Sequence, residues 1–532
     1  MELKELIDLS NKAFQENNFQ KVIELLKKVI LLQPNRYEIY FRLGLASNNL
    51  GNLKDAISYF EKAVLINPNS APTFCNLGNL YAELNEKNLA LKNYFKSIEI
   101  DSKNFKTNYN LGSYYFKLGN LEEAEKYLIY AQDITPNNIY TYNSLLLLYD
   151  RSNNLKKLEK KLMQAKNFFP ESSLVKFFEG IIQYRKKNYQ QSINILSKLE
   201  LNKNDKSRIM LKENYLAKSY DSLGLYQEAY NSFKISNTIS QVIGEKIFNK
   251  KKFLDSIQNR INYFSSFTSK AVVGKKNKKK NSDPVFLIGF PRSGTTLLDT
   301  ILRTHNLIEV IEEKPIVDSV IKEIENNMNY SFATLEKLDD LKINKLRQLY
   351  YKKMEQYLEI SPDKIYVDKF PLNIIYLAEI NKIFPEAKYI LALRNPRDSV
   401  LSCFMQSFTP NDAMLNMLTI DDASNLYNQT MQLWKIYEKV LDIKFHTVKY
   451  EDVVNNFEPT IKDLIKFLEL DWTNKLKDFY KTAEKKRIIS TPSYDQVNNP
   501  IYDKSIGRWK NYEDKFTNTG KIFETWNKEF NY

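Results

Sequence analysis

The first half of the chain repeats one apolar pattern with a period of 34 residues. Within a unit, apolar residues recur at helical spacing over 71–84 and again over 88–98, so each unit predicts two amphipathic helices. Prolines mark the ends of units at Pro34, Pro68, Pro136 and Pro170. One helical pair cannot bury its apolar face alone, so successive pairs must stack into a solenoid.

Small residues recur with the same period and allow the paired helices to approach closely. They are Gly44, Gly78 and Gly112 in the first helices and Ala56, Ala90 and Ala124 in the second helices. This pattern resembles the tetratricopeptide repeat over residues 1–240. The resemblance implies a concave surface that binds a protein or peptide partner. A purely structural or dimerising solenoid is the alternative.

A different pattern begins after a basic segment, GKKNKKKNSDP at 274–284. Residues 241–283 predict a capping helix followed by this charged linker. From 284 to 532, short apolar runs bounded by glycine and proline alternate with helical periodicity, which predicts buried parallel strands. The fold class is therefore α + α/β: a solenoid over 1–240, the cap and linker, and a P-loop-like domain with a central parallel sheet.

The amino-acid composition limits the kinds of ligand and site that the chain can have. The chain of 532 residues carries a formal charge of +14, which favours anionic ligands without choosing among them. Two cysteines and two histidines are too few for a disulfide framework or a histidine-rich metal site. No run approaches the ~18 apolar residues of a membrane span, and the N-terminus lacks a signal-peptide pattern. These features predict a soluble cytoplasmic protein without a metal.

The first chemical motif is GFPRSGTT, which lies between the apolar run Val285–Gly289 and a helical pattern. A bend rich in glycine, serine and threonine at a helix N-terminus exposes backbone amides that bind a phosphate or sulfate oxyanion. The glycine spacing imitates a nucleoside-triphosphate P-loop, but Thr295 stands where that loop has lysine, and Arg292 supplies the positive charge. The motif resembles the 5′-phosphosulfate loop of sulfotransferases that use 3′-phosphoadenosine 5′-phosphosulfate (PAPS). The implied cofactor residues are Arg292, Ser293, Gly294, Thr295 and Thr296.

The second motif is KYILALRNPRDSVLSCF at 388–404. Arg394 ends an apolar strand pattern, and Ser402 lies two turns into the helix that follows, so both side chains can converge on one phosphate. The pair resembles the 3′-phosphate site of the same sulfotransferases. The strand also lacks the acidic residue that a magnesium-dependent nucleotide site would place at its end.

Five further segments extend the resemblance over 284–512 to the tyrosylprotein sulfotransferase branch and to bacterial repeat-containing sulfotransferases. They are IEEKP at 311–315, YVDKFP at 366–371, VKYED at 448–452, SYDQV at 493–497 and IGRW at 506–509. The resemblance implies that Glu313 is the general base, with Glu312 as its rival. It implies that Lys369 and Ser493 act on the bridging oxygen of the leaving nucleotide, together with Arg292 in the loop. Tyr450 would lie against the adenine and Arg508 would meet the 3′-phosphate.

The sequence therefore predicts an enzyme that transfers a sulfuryl group from PAPS to a hydroxyl or amine acceptor without a metal. The acceptor stays open among carbohydrate, lipid, peptide and small-molecule classes, and nucleic acid is not expected as a partner. Two alternatives remain. One is a nucleotide-dependent kinase with a degenerate P-loop, and the other is a non-catalytic scaffold that binds nucleotide without turnover.

Overall fold

The computed structural model divides the chain into two compact units, Met1–Arg185 and Lys186–Tyr532. The structure describes residues 2–267, 283–327, 331–335, 338–481 and 505–532. Within these ranges no helix is long and apolar enough to cross a membrane.

The first unit is a tetratricopeptide solenoid of antiparallel helix pairs. Its helices are α1 Leu3–Gln15, α2 Phe19–Leu32, α3 Tyr37–Asn49, α4 Leu53–Ile66, α5 Ala71–Glu83, α6 Lys87–Ile100, α7 Phe105–Lys117, α8 Leu121–Ile134, α9 Ile139–Arg151, α10 Leu155–Phe168 and α11 Ser173–Arg185. Asparagine side chains cap several of the second helices, as Asn18, Asn120 and Asn154 do for α2, α8 and α10. The predicted 34-residue unit thus corresponds to one helical hairpin.

The repeated glycines allow close helix packing. A Cβ atom at Gly78 in α5 would lie 2.7 Å from the ring of Tyr94 in α6, and one at Gly44 would lie 2.7 Å from the ring of Phe60. Tyr94 is 2% exposed, so its ring has little freedom to move away. The absence of a side chain at these glycines therefore sets the separation of the two helices in a hairpin.

The second unit contains four further solenoid-type helices and an α/β domain. Its helices are α12 Tyr189–Leu196, α13 Lys206–Ser222, α14 Tyr226–Gly244, α15 Lys250–Phe264, α16 Thr295–Leu302, α17 Ile316–Asn327, α18 Phe332–Leu335, α19 Asp340–Met354, α20 Leu377–Ile383, α21 Pro396–Phe404, α22 Ile420–Val440, α23 Tyr450–Asn455, α24 Phe457–Phe467 and α25 Gly520–Phe530. Its strands are β1 Val285–Gly289, β2 Ile308–Glu312, β3 Ile365–Lys369, β4 Lys388–Leu393 and β5 Lys444–Lys449. Short 3₁₀ helices cover Pro371–Tyr376, Met414–Met417, Asn474–Asp478 and Arg508–Thr519.

The five strands form one parallel sheet in the order β2-β3-β1-β4-β5. Alternate residues face opposite sides: Phe286 of β1 joins the core under α21 and α22, whereas Leu287 joins the core under α16 and α24. Burial on both faces explains why β1 and β4 read as continuous apolar runs in the sequence. The order also places β1 between β3 and β4, where the chain changes its winding direction.

Helices α13 to α15 share a core with the sheet. Phe233 of α14 and Phe264 of α15 belong to the same apolar cluster as Phe286. The amide of Asn237 donates to the backbone carbonyls of Phe404 and Leu418, at 2.8 and 3.0 Å. The structure thus groups residues from Lys186 onwards with the α/β domain. The boundaries at 240 and 283 that the sequence suggested stay a prediction.

We expect Gly78→Val to lower the free energy of unfolding of the solenoid by about 1–3 kcal/mol, because the new side chain overpacks the contact with Tyr94. Urea unfolding of the full chain followed by circular dichroism measures the change. Gly51→Asn is the control, since Gly51 has φ of +77° and no atom within 4 Å of an added Cβ, and asparagine tolerates that conformation. Equal stability of Gly78→Val and the wild type would contradict the packing argument.

Candidate active site

The carboxyl edge of the sheet gathers the predicted site residues. They are Glu312 and Glu313 at the end of β2, the 290–294 loop after β1, Lys369 at the end of β3, Arg394 after β4 and Tyr450 after β5. Parallel strands end at the same edge, and ligands of open α/β sheets bind where the loops of neighbouring strands diverge. In this sheet that point lies between β1 and β4, whose following helices α16 and α21 cover opposite faces.

The loop after β1 has a backbone that is shaped for an anion. Arg292 has φ of +69° and Gly294 has φ of +92°, so the chain turns sharply before α16 begins at Thr295. A Cβ atom at Gly294 would lie 2.8 Å from Cδ2 of Tyr450, which makes glycine necessary there for space as well as for conformation. The turn leaves backbone amides at the N-terminus of an eight-residue helix.

The two predicted cationic motifs meet at this loop. Nη1 of Arg394 donates to the backbone carbonyl of Arg292 at 3.1 Å, and Nε of Arg292 donates to Oγ of Ser402 at 3.0 Å. The guanidinium of Arg394 also lies over the ring of Tyr450, 5.0 Å from its centroid. The structure therefore brings Arg292, Arg394, Ser402 and Tyr450 together, and their roles stay predictions.

Two buried polar atoms indicate that these residues fit an anionic group. Oγ of Ser293 and Nε of Arg394 have no hydrogen-bond partner among the residues that the structure describes. Ser293 is 3% exposed and Arg394 is 7% exposed. A buried donor without a partner costs free energy, and a phosphate or sulfate oxygen would satisfy both groups. The donor set therefore fits a phosphate or sulfate group.

A C-terminal segment is fixed against the same edge. Asp398 in α21 accepts hydrogen bonds from the backbone amides of Gly507 and Trp509, at 2.7 and 2.9 Å. Nη2 of Arg394 donates to the backbone carbonyl of Ser505. Burial raises the pKa of Asp398, and the positive charge of Arg394 opposes that rise. Residues 505–509 therefore lie beside the Arg394 cluster.

Among the described residues, one predicted residue has its side-chain ion pair outside that cluster. Arg508 forms an ion pair with Asp221 of α13, and its side chain is 32% exposed. Its predicted contact with the 3′-phosphate stays a prediction. Ser493 lies outside the described residues.

The second charged centre surrounds Lys369, whose side chain is fully buried. Its Nζ lies 2.9 Å from Glu313 Oε1, 3.5 Å from Glu312 Oε1 and 3.9 Å from Asp299 Oδ2. Burial alone would lower the pKa of Lys369, but attraction by the three carboxylates outweighs it and the pKa is raised. Lys369 thus stays charged at the end of β3.

Glu312 and Glu313 occupy different environments. Glu313 has a left-handed backbone with φ of +47°, and its amide donates to the carbonyl of Lys369 at 2.8 Å. This turn leaves the Glu313 side chain 38% exposed. Glu312 is 12% exposed and faces inward, 4.0 Å from Arg303. Glu313 is therefore the more exposed carboxylate of the pair.

The sequence analysis did not identify two residues of this centre, Asp299 and Arg303. Asp299, 2% exposed in α16, accepts a hydrogen bond from Arg303, four residues later. Burial raises the pKa of Asp299, and the charges of Arg303 and Lys369 oppose the rise. The pattern that could have indicated this buried ion pair is an aspartate within an apolar helix, with an arginine four residues later.

The comparisons with known proteins agree with this architecture. Residues 284–474 match the sulfotransferase family. Residues 37–70 and 105–138 match tetratricopeptide repeats, and 123–241 match the Iml2/tetratricopeptide repeat protein 39 family. The chain thus carries tetratricopeptide repeats in its N-terminal region and a sulfotransferase-family domain in its second half.

Individual relatives are distant. An uncharacterized protein of Aquifex aeolicus is 26% identical over 303 residues, which cover 55% of this chain and 39% of that protein. Protein-tyrosine sulfotransferase 1 of Danio rerio is 26% identical over 242 residues, which cover 43% of this chain and 66% of that protein. A tetratricopeptide repeat protein from Parabacteroides merdae aligns with 44% of this chain and 93% of its own, at 16% identity and a TM-score of 0.37. The chain spans less than two thirds of the length of the two sequence relatives.

One buried carboxyl next to the site predicts a pH dependence of stability. Asp368 is fully buried in β3, accepts a hydrogen bond from the Tyr350 hydroxyl at 2.9 Å, and has its pKa raised by burial from 3.8 to about 7. The folded protein then binds this proton more tightly than the unfolded chain, so the contribution of Asp368 to the free energy of unfolding decreases as the pH rises from about 4 to about 7.

We expect Asp368→Asn, which cannot ionise, to gain stability relative to the wild type by a few kcal/mol between pH 4 and pH 7.5. Chemical unfolding of both proteins across this range measures the difference. Parallel stability curves would show that Asp368 does not titrate as the burial argument requires.

Proposed function

We propose that this chain transfers a sulfuryl group from PAPS to a hydroxyl or amine acceptor and releases adenosine 3′,5′-bisphosphate. The observation that carries the proposal is the contact of Arg394 with the carbonyl of Arg292, because it joins two anion-binding motifs at one point of the sheet edge. The match of residues 284–474 to the sulfotransferase family supports the same reaction class.

The residues that would hold PAPS divide by the group they meet. The backbone amides of 292–296, with Ser293 and the two threonines, are suited to the 5′-phosphosulfate. Arg394 and Ser402 are suited to the 3′-phosphate, with Arg508 as a further predicted contact, and Tyr450 offers a ring for the adenine. Bound in this way, PAPS supplies an activated sulfuryl group, and the predicted absence of a metal stays a prediction.

The chain itself would supply proton transfer and charge stabilisation. Glu313 would accept the proton of the acceptor, and the exposure of its carboxylate supports this role. Lys369 has three N–H donors, of which Glu313 and Glu312 take two. The remaining donor would stabilise the negative charge that develops on the leaving oxygen. Ser493 is a predicted second donor to that oxygen.

The repeats would bring a protein or peptide partner to the enzyme, either as the acceptor or as its carrier. The names of the Danio rerio relative and its homologues make a tyrosine hydroxyl the first acceptor to test. Carbohydrate, lipid and small-molecule hydroxyls stay open, and the cytoplasmic location stays a prediction. A kinase would instead require binding of a nucleoside triphosphate with magnesium and would release the diphosphate as its product.

Calorimetry of nucleotide binding distinguishes the sulfotransferase from the kinase. We expect adenosine 3′,5′-bisphosphate to bind at least about tenfold more tightly than ADP with magnesium, because only the former carries the phosphate that Arg394 would hold. Arg394→Ala should weaken this binding roughly 10- to 100-fold through loss of a charged hydrogen bond. Lys444→Ala, which removes an exposed charge from β5 at its amino-terminal end, is the control. Tighter binding of ADP with magnesium than of adenosine 3′,5′-bisphosphate would reject the proposed sulfotransferase activity.

The rate of sulfuryl transfer tests the proposed role of Glu313 as the general base. We expect Glu313→Gln to lower the rate of sulfuryl transfer from radiolabelled PAPS by about 10²–10⁴-fold, with affinity for adenosine 3′,5′-bisphosphate retained, because the amide cannot accept the proton. A tyrosine-containing peptide, an oligosaccharide and a simple phenol serve as acceptors, and the fastest is used. Glu312→Gln is the matched control and should lower the rate less. Normal turnover by Glu313→Gln would rule out Glu313 as the base.

A further inference from the structure

The corner between α13 and α14 touches the C-terminal segment of the sulfotransferase domain. Asp221 lies one residue before the end of α13, and its side chain is 14% exposed. Its carboxylate pairs with the guanidinium of Arg508 and accepts a hydrogen bond from the hydroxyl of Tyr512 at 2.7 Å. The ring of Tyr226, at the start of α14, packs edge-on against Tyr512, with centroids 5.3 Å apart.

The contacted segment is also held from its other side. Asp398 binds the amides of Gly507 and Trp509, on either side of Arg508, and Arg394 binds the carbonyl of Ser505. Backbone contacts therefore fix where the segment runs, but they do not fix the long side chain of Arg508. Among the described residues, Asp221 forms an ion pair with the Arg508 guanidinium.

Arg508 can serve Asp221 and an anion at the same time. Only Nη2 of Arg508 donates to Asp221, whereas a guanidinium carries five N–H donors in a planar fork. Holding one edge of the fork removes rotamer freedom before a ligand arrives, so less is lost when the other donors bind a phosphate.

We propose that Asp221 is a positioning residue of the nucleotide site, by which the helical hairpin α13–α14 holds Arg508 towards the 3′-phosphate of PAPS. This inference rests on the proposed function and adds a repeat-type hairpin to the nucleotide site. Asp221 does not touch the nucleotide, and its effect passes through Arg508. The hairpin is therefore a structural component of the donor site as well as part of a scaffold.

The test compares two nucleotides that differ at one position. Calorimetry with adenosine 3′,5′-bisphosphate and with AMP is carried out on the full chain, its Asp221→Asn variant and the control Glu228→Gln. Asparagine keeps an oxygen for the Tyr512 hydroxyl but removes the charge that holds Arg508. Glu228 is an exposed carboxylate on the same hairpin, so its variant controls for the loss of one charge.

We expect Asp221→Asn to bind adenosine 3′,5′-bisphosphate about tenfold more weakly than the wild type, because one charged contact is lost. The affinity of Asp221→Asn for AMP should equal that of the wild type. Glu228→Gln should bind both nucleotides as the wild type does. In an Arg508→Ala background, Asp221→Asn should have no further effect. Unchanged or tighter binding of the bisphosphate, or equal losses for both nucleotides, would overturn the inference. Failure of the wild type to bind the bisphosphate would instead reject the proposed function.

Discussion

The guanidinium of Arg394 is the constraint on which the carboxyl edge of the sheet depends. A buried positive charge is costly unless hydrogen bonds and π electrons compensate it. Arg394 obtains this compensation from the carbonyls of Arg292 and Ser505 and from the ring of Tyr450. These partners belong to three segments that are far apart in the sequence. One side chain at the end of β4 therefore sets the relative positions of the loop after β1, the start of α23 and the C-terminal segment.

The edge has two halves with opposite electrostatic character. Around β1 and β4, Arg292 and Arg394 form a cationic half with buried donors that suit an anion. Around β2 and β3, the single charge of Lys369 is surrounded by carboxylates. A transfer reaction between an anionic donor and a hydroxyl acceptor needs both halves: one to hold the donor and one to receive a proton. The strand order places them side by side, with β1 adjacent to β3 and β4.

Local patterns in the sequence were enough to predict the repeats, the strands and the loop. Apolar periodicity defines the hairpins, and continuous apolar runs define β1 and β4 because both of their faces are buried. Contacts between segments that are far apart in the sequence could not be predicted from such local patterns. Asp398 holds the amide of Trp509, 111 residues later, through a carboxylate that looks like an ordinary first-turn acid. The packing of Phe233 onto the sheet core was hidden in the same way, since its position fits a repeat equally well.

A crystal structure with adenosine 3′,5′-bisphosphate tests the central claim most directly. We expect the 5′-phosphate on the backbone amides of residues 292–296 and the 3′-phosphate within hydrogen-bond distance of the Arg394 guanidinium. We also expect the Arg394 contact with the carbonyl of Arg292 to be kept. A nucleotide bound away from the carboxyl edge, or one that neither Arg292 nor Arg394 touches, would contradict the account.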